Sequence, residues 1–320
     1  MPAPTFLNAI IRRLSGRREA RPAGSPAAVR PAARGNDADV APGAEWRTGN
    51  PAERKIDEAI DFTIRNVQTI IGFVGNDPAA LRGKTFLEIG PGMDLGICLC
   101  VAGLGGSAIA LDRFLCPWDA TLHPPIYSGL ERAAMATWAG FDPEPMRECV
   151  RRGAHAGPRL RALPVGLEDA HEIADGTVDL SYSNATFEHL ADAESSIRSL
   201  ARISRAGSRG FHQTDFRDHR NMDRPLEFLT IPDAEFAALL AECEHSCGNR
   251  VRPREFLRFF AEHGFDATFK PNMQAGPEYI ADVRPRLLPR YAALPDTELA
   301  EISGRFFTTR RADDRGRSGA

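Results

Sequence analysis

A chain of 320 residues with 42% hydrophobic and 26% charged residues has the composition of an ordinary globular protein, which excludes disorder of the whole. A net charge of -3 gives no bulk attraction to nucleic acid or to an anionic membrane, so composition points to small-molecule work. No stretch reaches the roughly 18 apolar residues that a membrane helix needs. The six cysteines follow no C-x-x-C spacing, and reduced thiols in a cytoplasmic protein are expected. "CEHSC" (Cys243, His245, Cys247) lacks a fourth zinc ligand at useful spacing and reads as small residues at a helix end. Only three lysines, Lys55, Lys84 and Lys270, stand among the many arginines, a bias of base composition that lowers the weight of any single arginine.

Residues 1–48 are rich in Ala, Pro, Gly and Arg and are expected to be disordered. Their apolar stripe, Phe6, Leu7, Ile10, Ile11 and Leu14, has helical spacing. Arg12, Arg13, Arg17 and Arg18 interleave and follow it, so residues 5–18 allow peripheral membrane contact or docking. The basic residues follow the apolar ones, which is not the order of a secretory signal.

From residue 52, Ile56, Ile60, Ile64, Val67 and Ile71 recur at intervals of three and four, predicting an amphipathic helix that Gly75-Asn76-Asp77-Pro78 ends. Strands are predicted at 84–89, 107–111, 159–164, 177–182 and 208–214, with helices at 94–103 and 191–204 between them. A helix at 253–263, a strand at 265–270 and a last apolar run at 304–311 follow. Alternation of this kind builds a parallel sheet with covering helices. Two stretches, 114–157 and 216–252, interrupt it after strand ends, at the carboxyl edge where open parallel sheets bind ligands. One domain over 49–311 with these two insertions, and a disordered tail over 312–320, is the expected organisation.

The stretch "TFLEIGPGMDLGICLC" (85–100) breaks a buried run with Gly90, Pro91 and Gly92 before a helix. Glycine lets a ligand approach the backbone, and a helix amino terminus offers unpaired N–H groups. Acids follow in series: Glu88 on the first strand, Asp112 after the second in "SAIALDRF", and Asp169 after the third in "VGLEDAHEI".

Together with "DGTVDLSYSNATFEHL", this series over residues 52–270 resembles the class I S-adenosylmethionine-dependent methyltransferases of the small-molecule, type 11-like kind with an E-x-G-x-G loop. The resemblance implies a Rossmann-like, doubly wound, mostly parallel seven-stranded sheet with helices on both faces. It implies S-adenosylmethionine as cofactor, with Glu88, Gly90 and Gly92 at its amino-acid end and Asp112 on the ribose diol. Asp169 and the backbone of Ala170 would meet the adenine, and Ser183 and Asn184 would line the space beneath the sulfonium. The chain departs from the pattern at Asp94, where a third glycine is usual, with Gly96 as the nearest substitute.

Methyl transfer to oxygen or nitrogen calls for a proton acceptor near the fourth and fifth strand ends. His219 and His189 are the expected bases because both fall just beyond strand ends, although His189 also reads as a packing residue. His212 reads as a core histidine. No resident metal is expected: a His212, Asp215, His219 set is conceivable, but the fourth strand ends in Ser-Asn where an acid would be wanted. Trp118, His123 and Tyr127, with Arg217, Arg220, Arg224 and Phe228, are expected to form a lid over a small-molecule acceptor such as a sugar or a carboxylate-bearing metabolite. A nicotinamide-dependent oxidoreductase shares the glycine turn and the acid after the second strand, but it leaves Asp169 without a task. A non-catalytic cofactor-binding scaffold is the third reading.

Overall fold

The computed structural model describes residues 51–243 and 247–312. The tail over 1–48 with its apolar stripe, and the tail after 312, lie outside the described residues. Among the described residues no helix is long and apolar enough to cross a membrane.

Helix α1 (Pro51–Phe73) buries Val67, Ile70 and Ile71, with Ile56, Ile60 and Ile64 packed against the same core, as its spacing predicts. Seven strands follow in one sheet: β1 (Thr85–Ile89), β2 (Ser107–Leu111), β3 (Leu160–Leu163), β4 (Val178–Asn184), β5 (Ser204–Asp215), β6 (Phe265–Gln274) and β7 (Glu301–Arg310). Their spatial order is β3-β2-β1-β4-β5-β7-β6. β7 runs antiparallel to both of its neighbours and the remaining pairs are parallel. The expected Rossmann-like, mostly parallel seven-stranded sheet is therefore present. Its order reverses between β1 and β4, so the carboxyl ends of these two strands form the crevice where such sheets take ligands.

Strand alternation divides the core. Phe86, Ala108, Leu180 and Phe211 face α1 and α2 (Gly96–Gly103), while Leu87, Ile89, Leu111 and Val178 face α5 (Ala193–Ile203) and α7 (Pro253–Glu262). On the second face Phe306 is wholly buried among Phe187, Phe256, Phe260 and Phe269. Truncating a ring so placed costs about 3–5 kcal/mol.

Both insertions are more structured than the sequence suggests. The first contains α3 (His123–Thr137) and α4 (Glu144–Arg152), hidden because "HPP" reads as a turn, although proline suits the first turn of a helix. The second carries α6 (Asp233–Glu242) and joins α8 (Pro277–Val283), α9 (Pro289–Ala292) and α10 (Asp296–Ala300) in a small third core around Phe228, Tyr279, Val283 and Leu299. α8 to α10 are too short to show a helical period in sequence. Cys243 and Cys247 are joined as a disulfide, which corrects the expectation of reduced thiols throughout and removes both sulfurs as zinc ligands. Cys98, Cys100, Cys116 and Cys149 are free.

Candidate active site

The crevice begins at the turn after β1. Gly90 has φ +72°, donates its N–H to Leu111 O at 2.9 Å, and lies so near Thr186 that a Cβ would come within 2.2 Å of Thr186 Oγ1. Gly92 has the same φ, but a Cβ there would meet nothing within 4 Å. Gly90 therefore serves the packing of β1 against β4, and Gly92 faces open space where a ligand can approach. Asp94 fills the place of the usual third glycine and accepts the Gly96 N–H at 2.8 Å, occupying the amino end of α2. Gly96 permits close packing, since a Cβ would stand 2.7 Å from Thr63 Oγ1.

The first insertion braces this turn. Tyr127 donates its hydroxyl to Asp94 O at 2.8 Å, and His123 donates from Nε2 to Met93 O at 2.9 Å while Nδ1 accepts from Asp119 N at 2.8 Å. Trp118 stacks on His123 with ring centroids 5.1 Å apart. Both His123 and Tyr127 are buried, so the expected acceptor lid is here a support for the glycine turn.

Glu88 is 3% exposed, and burial pushes its carboxyl up to about 8 although a hydrogen bond with Cys98 opposes the shift. Its Oε2 has no hydrogen-bond partner among the described residues. Asp112 is one residue past β2, where its Oδ1 accepts the Phe114 N–H at 2.7 Å; burial raises its pKa against that bond. Since Ile89 pairs with Leu111, the turn after β1 and Asp112 stand at the same edge of the sheet.

Three further candidates are placed differently from expectation. Ala170 is fully buried, its N–H donating to Leu167 O at 3.3 Å and its carbonyl accepting from Arg202 at 2.7 Å, so its backbone is not offered to a ligand. Asp169 is exposed, and its neighbour Glu168 is the acid that pairs with Arg113 beside Asp112. Ser183 is wholly buried with its Oγ 2.9 Å from His212 Nδ1, facing the second core. Asn184, on the opposite strand face and half-buried, ends β4 at the carboxyl edge of the sheet. His212 lies between Ser181 and Ser183 and stacks on Phe187 at 4.5 Å. Burial lowers its pKa to about 3, and it is the neutral core histidine that the sequence suggests.

His189, in the short turn Phe187–His189 after β4, and His219, four residues past β5, meet with ring centroids 4.9 Å apart, edge to face. Glu188 joins them: it is 1% exposed, and its ligating atom and those of both histidines lie within 4.8 Å of one another. Sequence reasoning missed Glu188, whose only signal is its place in "FEHL". Asn249 also went unnoticed. Its N–H donates to Glu188 O, and its side-chain amide donates to Phe187 O at 2.9 Å and Leu190 O at 3.1 Å, clamping the turn from the end of the second insertion. The three arginines expected in the lid are paired with nearby acids: Arg217 with Asp215, Arg220 with Asp218, and Arg224 with Glu227 and Asp282. Phe228 is buried in the third core, so these residues do not form the expected lid.

No protein-family model matches the chain, and no curated protein matches it. Among the solved structures to which it is similar are S-adenosylmethionine-dependent methyltransferases. A geranyl diphosphate methyltransferase in complex with S-adenosylmethionine is 15% identical over 83% of this chain and 93% of its own, with a TM-score of 0.43. The geranyl diphosphate C-methyltransferase of Streptomyces coelicolor A3(2) is 14% identical over 84% of this chain and 86% of its own, with a TM-score of 0.43. The phosphoethanolamine N-methyltransferase 2 of Haemonchus contortus is 13% identical over 77% of this chain and 52% of its own, with a TM-score of 0.40.

Proposed function

We propose that the protein is an S-adenosylmethionine-dependent methyltransferase acting on a small-molecule acceptor. The observation that carries the reading is the buried Glu88, with an unpartnered carboxylate oxygen, beside the open Gly92 and next to Asp112 at one sheet edge. A cationic ligand fits that acid, because an ammonium offers the donor that Oε2 lacks and favours the ionised carboxylate. Asp112 has the second oxygen to accept from a ribose diol.

The group bound here supplies a methyl already activated on a sulfonium. The chain's own task is then alignment: Glu88 holds the amino-acid end, Asp112 the ribose, and the Tyr127–Asp94 hydrogen bond keeps the turn in shape. Asn184 borders the transfer space, and His189 and His219 stand where the acceptor would be handled. The pairing of Arg217, Arg220 and Arg224 with nearby acids removes the charge reason for a carboxylate-bearing acceptor, and a hydroxyl-bearing one fits the two imidazoles better.

Asp94 speaks against the nicotinamide reading. A dinucleotide places its pyrophosphate on the helix amino terminus, whereas here a carboxyl group accepts the Gly96 N–H. Thermal shift decides: S-adenosylhomocysteine should raise the melting temperature and NAD should not. Stabilisation by NAD alone would overturn the proposal.

A further inference from the structure

We infer that Glu188, His189 and His219 form a binding site for a first-row divalent transition-metal ion. The three donors come from two separate chain segments, the turn after β4 and the loop after β5, and their ligating atoms converge within 4.8 Å. Glu188 is 1% exposed and the His219 side chain 4%, so a carboxylate and an imidazole converge away from bulk water. The site is also built. Asn249 holds both ends of the turn that carries Glu188 and His189. Asp215, fixed by a two-pronged pair with Arg217, stands 4.0 Å from His219 Nε2 and adds a negative charge beside the cluster.

Two imidazoles with one carboxylate suit zinc, cobalt, nickel or iron(II) better than magnesium or calcium, which prefer all-oxygen sets. Three protein ligands leave a coordination position open, as catalytic rather than structural sites do. The metal site stands on these residues alone. Its use rests on the methyl-transfer reading: an acceptor hydroxyl bound at the open position would lose its proton more easily, so the two histidines would serve as ligands and not as free bases.

Cobalt(II) titration of the full-length protein, followed by visible spectroscopy and elemental analysis after dialysis, tests the site. One equivalent of retained cobalt with d–d bands and no thiolate charge-transfer band is expected. His189→Ala, His219→Ala and Glu188→Gln should each weaken binding beyond the roughly 10–100-fold that losing an outer partner costs, and His171→Ala, at an exposed histidine outside the cluster, should not. Circular dichroism and a cooperative thermal melt report whether each variant is folded. Wild-type cobalt affinity in folded His189→Ala and His219→Ala variants, a thiolate band that puts the metal on cysteine sulfur, or no retained cobalt would overturn the inference. Cobalt retained by a protein that binds no S-adenosylhomocysteine would leave the metal site standing and remove its proposed use.

Discussion

Gly90 and Thr186 seal the crevice between β1 and β4: a Cβ on Gly90 would sit 2.2 Å from Thr186 Oγ1, while that hydroxyl donates to Ile89 O at 3.0 Å. The two strands meet where the sheet order reverses, so this contact sets the floor on which the turn 90–95 rests.

Gly90→Ala should therefore destabilise the fold by on the order of 2–4 kcal/mol, from the left-handed φ and the overlap together. Combining it with Thr186→Gly relieves the overlap and leaves the φ penalty, so denaturant melts of the double-mutant cycle should show positive coupling of about 1 kcal/mol or more. Strict additivity would mean that the two residues do not press on each other. Gly92→Ala should cost only the φ penalty in stability but weaken S-adenosylhomocysteine binding, because its Cβ enters the open space.

Asp112→Ala should weaken binding of S-adenosylhomocysteine by about 1.5–3 kcal/mol, the loss of a hydrogen bond to a charged group, with the fold preserved. Calorimetric titration checks it. An unchanged dissociation constant would take Asp112 out of the site.

The strands of the parallel sheet, and the places of Glu88 and Asp112 at their ends, are legible in the sequence because buried parallel strands are short apolar runs and their ends are marked by glycine or acid. The failures are failures of direction. Ser183 faces His212 because residues 181, 183 and 212 share one sheet face across the β4–β5 register, a relation that requires knowing the pairing. Glu168 and Asp169 differ by one position in a 3₁₀ turn, where one residue rotates the side chain by about a third of a turn. Glu188 was invisible because burial, not identity, makes it notable. The insertions misled because arginines and aromatics read as exposed, whereas here they meet carboxylates and one another.

Glu88 gives a pH dependence of defined sign. Its carboxyl titrates at about 8 in the folded chain against 4.5 for the ordinary group, so the native state binds the extra proton between these values. Stability should fall as pH rises from about 4.5 to 8, by at most a few kcal/mol, and level off above that. Glu88→Gln should flatten the slope. Ligand binding should release a proton near pH 6.5, where the ligand's amine is still charged, because an ammonium demands the ionised form. Calorimetry in buffers of different ionisation enthalpy measures that release, and its persistence in Glu88→Gln would assign it to another group.

Tyr127 separates a brace from a lid. Its hydroxyl donates to Asp94 O at 2.8 Å and lies 3.0 Å from His155 Nδ1, and His155 is held neutral at physiological pH because burial lowers its pKa to about 4. Tyr127→Phe keeps the ring in its core and removes one donor, which leaves the Asp94 carbonyl without that partner, a loss of about 1–3 kcal/mol in stability. Because the Asp94 side chain also accepts the Gly96 N–H at the start of α2, the turn 92–95 should loosen and cofactor affinity should fall several-fold. A lid residue would behave in the opposite way, changing the acceptor KM while the S-adenosylhomocysteine dissociation constant stayed fixed. Measuring both constants in the same variant distinguishes the two roles. A fall in cofactor affinity that exceeds any change in acceptor KM is the outcome expected of a brace, since the hydroxyl's nearest partners all belong to the cofactor turn and its support.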